Sequence, residues 1–465
     1  MTEEVRGVRM AGADPGGEPP PEHELSDPPV PESSARGAAR GRSWVEELLP
    51  GSLPEWALVR QRIDATEVVD VRQAVRREID PFMAGIGAET RVCVAVGSRG
   101  IDRIDQVVRA VVERIREAGA SVFLVPAMGS HGGATAEGQL RLLSAYGITP
   151  EAMGCEIRSS MDTVPLGEVH PGVPVFIDRQ AFEHADIIIP INRVKPHTDF
   201  TGEIESGLSK MISIGLGKQR GADTFHRQGF AVFHELIPAV AALVLARAPI
   251  PFGLALIENG HARLSHIEAV PAAQIAERER QLLRIARDAM ARIPLAELDV
   301  LVLDLIGKDI SGLGMDSNVV GRYYSGPTGV PPAIQRIIIR DLTEETDGNA
   351  VGIGMGDVVL RRAVERMDPA KTHVNCVTAK TPEGARVPLT VDSDRQAFAV
   401  AIACCLRVTP ETARIVRVRD TKHLEHLYVS APLLPGLLAG GAVEVVDPAH
   451  PIRFDADGML TELMP

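Results

Sequence analysis

Three histidines and several cationic side chains gather in short stretches of this chain, and their types suit proton transfer and metal ligation. His131 lies in the stretch 126–135 among glycines that let backbone approach a ligand closely. His197 lies in a dense polar run, 192–202, with Asn192, Arg193, Lys195 and Asp199, and Ser206, Gly207, Ser209 and Lys210 follow. After an apolar run, so many polar and ionisable groups are costly to bury unless they bind something. A third stretch, 214–221, holds Gly215, Gly217 and Lys218 and leads into Phe225, His226 and Arg227. Imidazole titrates near neutrality and its neutral form ligates transition metals, so the three histidines suit an acid/base pair plus a metal ligand. The plainer readings are a surface role for His131 and, for 192–210, a solvated loop in which Ser206 caps a helix.

Two common phosphate-binding devices are excluded by spacing. The Gly217-Lys218 pair is not a P-loop, because Ile212 stands where a glycine is required and Gln219 where a hydroxyl must hold magnesium. The Gly97-Ser98-Arg99-Gly100 turn lacks the glycine spacing of a dinucleotide fingerprint.

These stretches follow a repeated strand-loop-helix pattern. Residues 92–96 form an apolar strand run. A helical stripe follows it, with Ile104, Val107, Val108, Val111, Val112 and Ile115 recurring at three and four residues, and Gly119 closes that helix. A second strand is predicted over 121–125, a helix over 137–146 and a central parallel strand over 186–191. The pattern implies an α/β fold of two domains, each with mainly parallel sheets covered by helices. Ligands sit at the carboxyl ends of such strands, so the loops after Val96, Val125 and Ile191 should converge on an active site in the interdomain cleft. Further on, 273–293 reads as a charged helix, 298–305 as a strand, and 358–367 and 397–406 as helices. The expected division is a disordered tail over 1–43, a catalytic and cofactor domain over 44–268 and a C-terminal α/β domain over 269–465. The tail carries seven prolines and almost no bulky apolar side chains, too little to offset ordering entropy.

From about Ser98 to Asn318 the chain resembles the lactate racemase (LarA-like) family. Pro196-His197, then Gly207-Leu208-Ser209-Lys210, then His226 sixteen residues beyond the lysine carry the resemblance. It implies a nickel-pincer nucleotide cofactor, a nickel pyridinium-bisthiocarboxylate mononucleotide, that exchanges hydride at C2 of a 2-hydroxyacid. By that likeness His131 and His197 are the acid/base pair facing each other across the cleft. Lys210, His226 and Ser98 bind the cofactor, His226 through the metal. Arg99 holds the substrate carboxylate. The family's acidic residue and proline around that arginine are absent here, as are the glutamine and lysine after Asp316 and Asn318, for which Lys308 or Arg322 could substitute in substrate binding. No tryptophan follows Trp56, so a substrate larger or more polar than lactate is expected.

Bulk properties narrow the remaining classes. The 465-residue chain is 45% hydrophobic, enough for two cores, and its net charge of −13 is spread without a basic face, which argues against a nucleic-acid partner. The longest apolar runs, such as 236–245, fall short of the roughly 20 residues of a membrane span, so no membrane partner is expected. Five cysteines without paired metal spacing indicate neither a disulfide framework nor a cysteine zinc site, and the cytoplasm is the expected compartment. Two competitors remain: a hydrolase with zinc on a histidine triad, and a binding protein that kept the fold without turnover.

Overall fold

The computed structural model describes residue 48 and residues 51–97, 100–170, 172–324 and 330–465. The predicted tail over 1–43, Ser98 and Arg99 lie outside them. The described residues fall in one compact unit, Trp44–Pro465, with two main sheets.

Along the chain the strands are β1 (Trp56–Gln61), β2 (Arg91–Val96), β3 (Ser121–Pro126), β4 (Glu156–Ile157), β5 (Thr163–His170), β6 (Val173–Asp178), β7 (Ile187–Arg193), β8 (Phe252–Glu258) and β9 (Leu264–Pro271). They continue as β10 (Glu297–Ile306), β11 (Ala333–Leu342), β12 (Val358–Leu360), β13 (Leu389–Val391), β14 (Ile415–Val418), β15 (His426–Ser430) and β16 (Val443–His450). The first sheet has the order β4-β3-β2-β7-β8-β9, parallel except for β9 on β8. Its strands are apolar at nearly every position because both faces are covered. Val92, Val94 and Val96 face one core and Cys93 and Ala95 the other. The helix Ile104–Glu117 covers the first face and buries the predicted stripe, each fully buried Val or Ile contributing about 1.5–3 kcal/mol. The helices Phe233–Arg247 and Ile275–Ala289 cover the second face.

The segment Phe230–Arg247 has the length and composition of a membrane span. Within it Phe233, Leu236, Ile237, Val240, Ala241 and Val244 pack into the core of the first sheet, and Pro238 lies inside the helix, so the apolar character serves that core.

The second sheet runs β13-β12-β11-β10-β14-β15-β1-β16, with parallel pairing from β13 to β14 and antiparallel pairing from β14 to β16. This corrects the predicted domain division. β1 precedes the first sheet in sequence but is a strand of the second, and a boundary at 268 would cut β9. The helix Ile275–Ala289 belongs to the first lobe, where Ile275, Leu282, Leu283 and Ala286 are buried. The helix predicted over 358–367 is the strand β12 followed by the short helix Arg361–Glu365, since three buried apolar residues start a strand or a helix equally well. The helix predicted over 397–406 spans Asp394–Ala403.

Candidate active site

The strand ends of the first sheet converge as predicted for a parallel sheet. Gly97, after β2, backs onto Asn192 at the end of β7 and onto Met211. The loop after β3 meets the same segment: Gly129 N donates to Gly215 O at 3.1 Å. A Cβ on Gly215 would stand 2.7 Å from the Ala127 carbonyl oxygen, so the glycine permits this approach.

His131 is exposed, but its backbone is fixed. Its amide donates to Met128 O at 3.1 Å, and the buried Gln139 carboxamide donates to its carbonyl at 3.3 Å and to Gly129 O at 3.0 Å. Gly132 follows with φ of 67° and a Cβ position only 2.6 Å from the Gly138 carbonyl carbon, a turn closed to other residues. The helix Ala136–Ala145 then starts on the Thr135 cap.

His197 is mostly buried and stacks on Phe200, with ring centroids 4.4 Å apart. Its amide donates to the buried Glu205 carboxylate at 2.6 Å, and Glu205 pairs with Arg287. Its Nδ1 accepts the Asp199 amide at 3.0 Å, which puts the proton of the neutral ring on Nε2. The Asp199 carboxylate is 3.8 Å from the same Nδ1 and is the group placed to receive an Nδ1–H. The second lobe holds this loop from the other side. Asn318 donates to the His197 carbonyl at 3.1 Å, and Lys195 pairs with the buried Asp316 at 2.8 Å.

The short helix Leu208–Lys210 begins at Gly207, not at Ser206, which pairs back to Lys195 through its backbone. Ser209 N donates to the fully buried Glu279 carboxyl at 3.0 Å, and the Ser209 hydroxyl bonds to the same group. Burial raises Glu279 from 4.5 to about 7 against these donors. A turn of π-helix, Met211–Gly215, follows Lys210 and leads to the helix Lys218–Gln228, which carries His226. Half-buried His226 is held below its ordinary pKa first by burial and then by the Lys210 cation, with Lys380 of the second lobe adding to the effect and Asp223 opposing it. A neutral imidazole at neutral pH can ligate a metal.

Three candidates therefore share one aromatic wall. Lys210 Nζ lies 6.0 Å from the Phe200 ring centroid, on the same ring that His197 stacks against. Phe230 and Phe233 lie 5.6 and 5.8 Å from the His226 ring, and Phe233 meets Phe200 at 5.5 Å. Sequence reasoning missed these rings; the signal was there, since Phe200, Phe225, Phe230 and Phe233 are four of the eleven phenylalanines. It also missed Glu279, which sits on the apolar stripe of its helix between Ile275 and Leu282 and stands out there as a carboxylate. The hydroxyl of Tyr324 is buried with no hydrogen-bond partner among the described residues, and burial pushes its pKa up, with Asp199 contributing.

The two substitutes suggested in the second lobe fare differently. Arg322 donates to the carbonyls of Met355, Ile334 and Gln335 and pairs with Asp357 at 2.7 Å. That charge is compensated, and Arg322 braces its own loop. Lys308 is part-buried and donates to Gly312 O at 2.7 Å. Arg99 and Ser98 lie outside the described residues. Among the described residues no three His, Cys, Asp or Glu side chains cluster as metal ligands, so the histidine triad of a zinc hydrolase is not assembled.

Residues 57–235 match the family model of the lactate racemase N-terminal domain. No curated protein matches the chain. Among solved structures, the chain is similar to the lactate racemase apoprotein from Thermoanaerobacterium thermosaccharolyticum, with 11% identity and a TM-score of 0.47 over 82% of this chain and 95% of that one.

Proposed function

For a chain that is a lactate racemase family member through the N-terminal domain it carries, we propose that it racemises or epimerises a 2-hydroxycarboxylic acid with the aid of a nickel-pincer nucleotide. The observation that supports this most is the single aromatic wall holding His197, Lys210 and His226. The site residues fit the cofactor in kind: His226 offers a neutral imidazole for nickel, and Lys210 offers an amine beside it for attachment to a thioacid. When bound, the cofactor supplies a pyridinium ring that takes hydride from C2 of the substrate and returns it.

The chain's own residues do the proton work. One histidine would take the hydroxyl proton of one enantiomer, and the other would give a proton to the same oxygen as the opposite enantiomer forms. Two bases of similar strength, one per face, are what near-symmetric interconversion requires. His197 meets the reacting oxygen through Nε2, which carries the proton of the neutral ring while Nδ1 accepts the Asp199 amide and so can donate it, and His131 serves the other hand. Phe200 and Phe230 keep water from the His197 ring, which strengthens each polar contact there. Arg99 remains the residue proposed for the substrate carboxylate and Ser98 for the cofactor, with Lys308 or Arg322 the second-lobe cation for the substrate. The altered lactate-type positions favour a substrate larger or more polar than lactate, and the free state of all five thiols suits the cytoplasm.

The test is protein made together with the cofactor-synthesis enzymes, then analysed for metal and intact mass and assayed on a series of 2-hydroxyacids. About one nickel per chain and racemisation of larger acids ahead of lactate are expected. Active protein free of nickel would refute the cofactor, and lactate as the best substrate would refute the specificity.

A further inference from the structure

Lys218, set aside above as a false phosphate-loop lysine, is fully buried together with Asp178 and Gln139. Its ammonium lies 2.8 Å from Asp178 Oδ2, donates to Pro126 O at 2.5 Å and reaches Gln139 Oε1 at 3.3 Å. Among the described residues Asp178 Oδ2 has no hydrogen-bond donor of its own, and Oδ1 caps the helix Arg179–His184 through Ala181 N at 2.9 Å, so the ammonium is the counter-charge of this carboxylate. Each partner of Lys218 leads to the site. Pro126 is the last residue of β3, where the His131 loop begins, and Gln139 holds that loop by the carbonyls of Gly129 and His131. Lys218 is also the first residue of the helix that carries His226, held there at φ of 53°, in the left-handed region that a lysine rarely adopts.

We propose that Lys218 is a positioning residue that fixes the His131 loop relative to the His226 helix, through a buried ion pair with Asp178 and a relay through Gln139. A buried cation suits this task because its hydrogen bonds are strong at low dielectric and it cannot leave without stranding Asp178. A methionine would fill the space without gripping either the Pro126 carbonyl or Gln139. Strain at a residue over-determined by its surroundings is a common mark of a functional site. The catalytic consequence rests on the racemase reading; the anchoring itself does not.

The test uses the full-length chain carrying Lys218→Met, and Lys218→Met with Asp178→Asn, which removes both charges and keeps the Asp178 cap. Hydrogen exchange by mass spectrometry should show faster exchange over 126–139 and 218–228 in the double variant, with 192–206 unchanged. In cofactor-loaded protein kcat should fall on the order of tenfold to a hundredfold while KM changes by less than about twofold, the cost of a catalytic group displaced by about an ångström. Unchanged exchange at 126–139 in the folded double variant, exchange rising equally at 192–206, or a parental kcat despite a loosened loop would each overturn the proposal. If the parent chain shows no racemisation, the racemase reading falls and the exchange pattern alone decides the anchoring.

Discussion

Lys210 separates the two readings of this chain most sharply at the scale of single residues. As a helix residue with only a structural role, Lys210→Ala would change stability by a few tenths of a kcal/mol and leave activity alone. As the cofactor lysine, its loss should abolish covalent attachment and turnover, read by intact mass and a racemase assay. His226→Ala should lose nickel and keep the organic part of the cofactor, read by metal analysis and absorbance. His197→Ala should lower kcat by about 10²–10⁴, the range of a general acid or base. Glu279 gives a pH prediction: its folded value of about 7 lies above the unfolded 4.5, so its contribution is fully present below 4.5 and lost as pH rises through about 7. Glu279→Gln should flatten that part of a stability profile followed by urea unfolding across pH, and an unchanged slope would contradict the assignment. Lys210, His197 and His226 were legible because ionisable types next to apolar runs betray a site. Lys218, Asp178 and Glu279 were not, since each acquires its role only when distant elements close over it.

Between elements, the decisive contacts are those that hold the His197 loop from both lobes. Glu205 and Arg287 secure it within the first lobe, and Asp316 and Asn318 reach it from the second. Asp316→Ala leaves Lys195 without its partner. Lys195 is about a third exposed, so the cost should fall at or below the lower end of the about 3–5 kcal/mol seen for broken buried pairs. A urea titration measures it, and a change within about 0.5 kcal/mol would show that the lobes are not joined through this pair. The sequence announced β2, β3, β7 and the helix Ile104–Glu117 through the period of their apolar residues, and the convergence of their loops followed from parallel topology. It did not announce that β1 pairs with β15 and β16, more than three hundred residues away, because no local pattern encodes a partner so distant. β12 was misread for the opposite reason, its three residues being too short for any period to show.

In the whole molecule, the first lobe supplies His131, His197, Lys210 and His226, and the second supplies Asp316 and Asn318, which hold the His197 loop. The family match covers residues 57–235, most of them in the first lobe, and the departures read from the sequence fall mainly in the second. The racemisation proposed above, acting on a substrate other than lactate, is the account that joins these facts. Its central claim is that hydrogen moves at C2 as hydride and returns to the same carbon. The direct measurement uses one enantiomer of a 2-hydroxyacid carrying deuterium at C2, incubated in ordinary water with the cofactor-loaded protein, with the opposite enantiomer isolated and its mass determined. The account predicts that the opposite enantiomer keeps its deuterium; complete replacement by solvent hydrogen would show proton abstraction at carbon and contradict it.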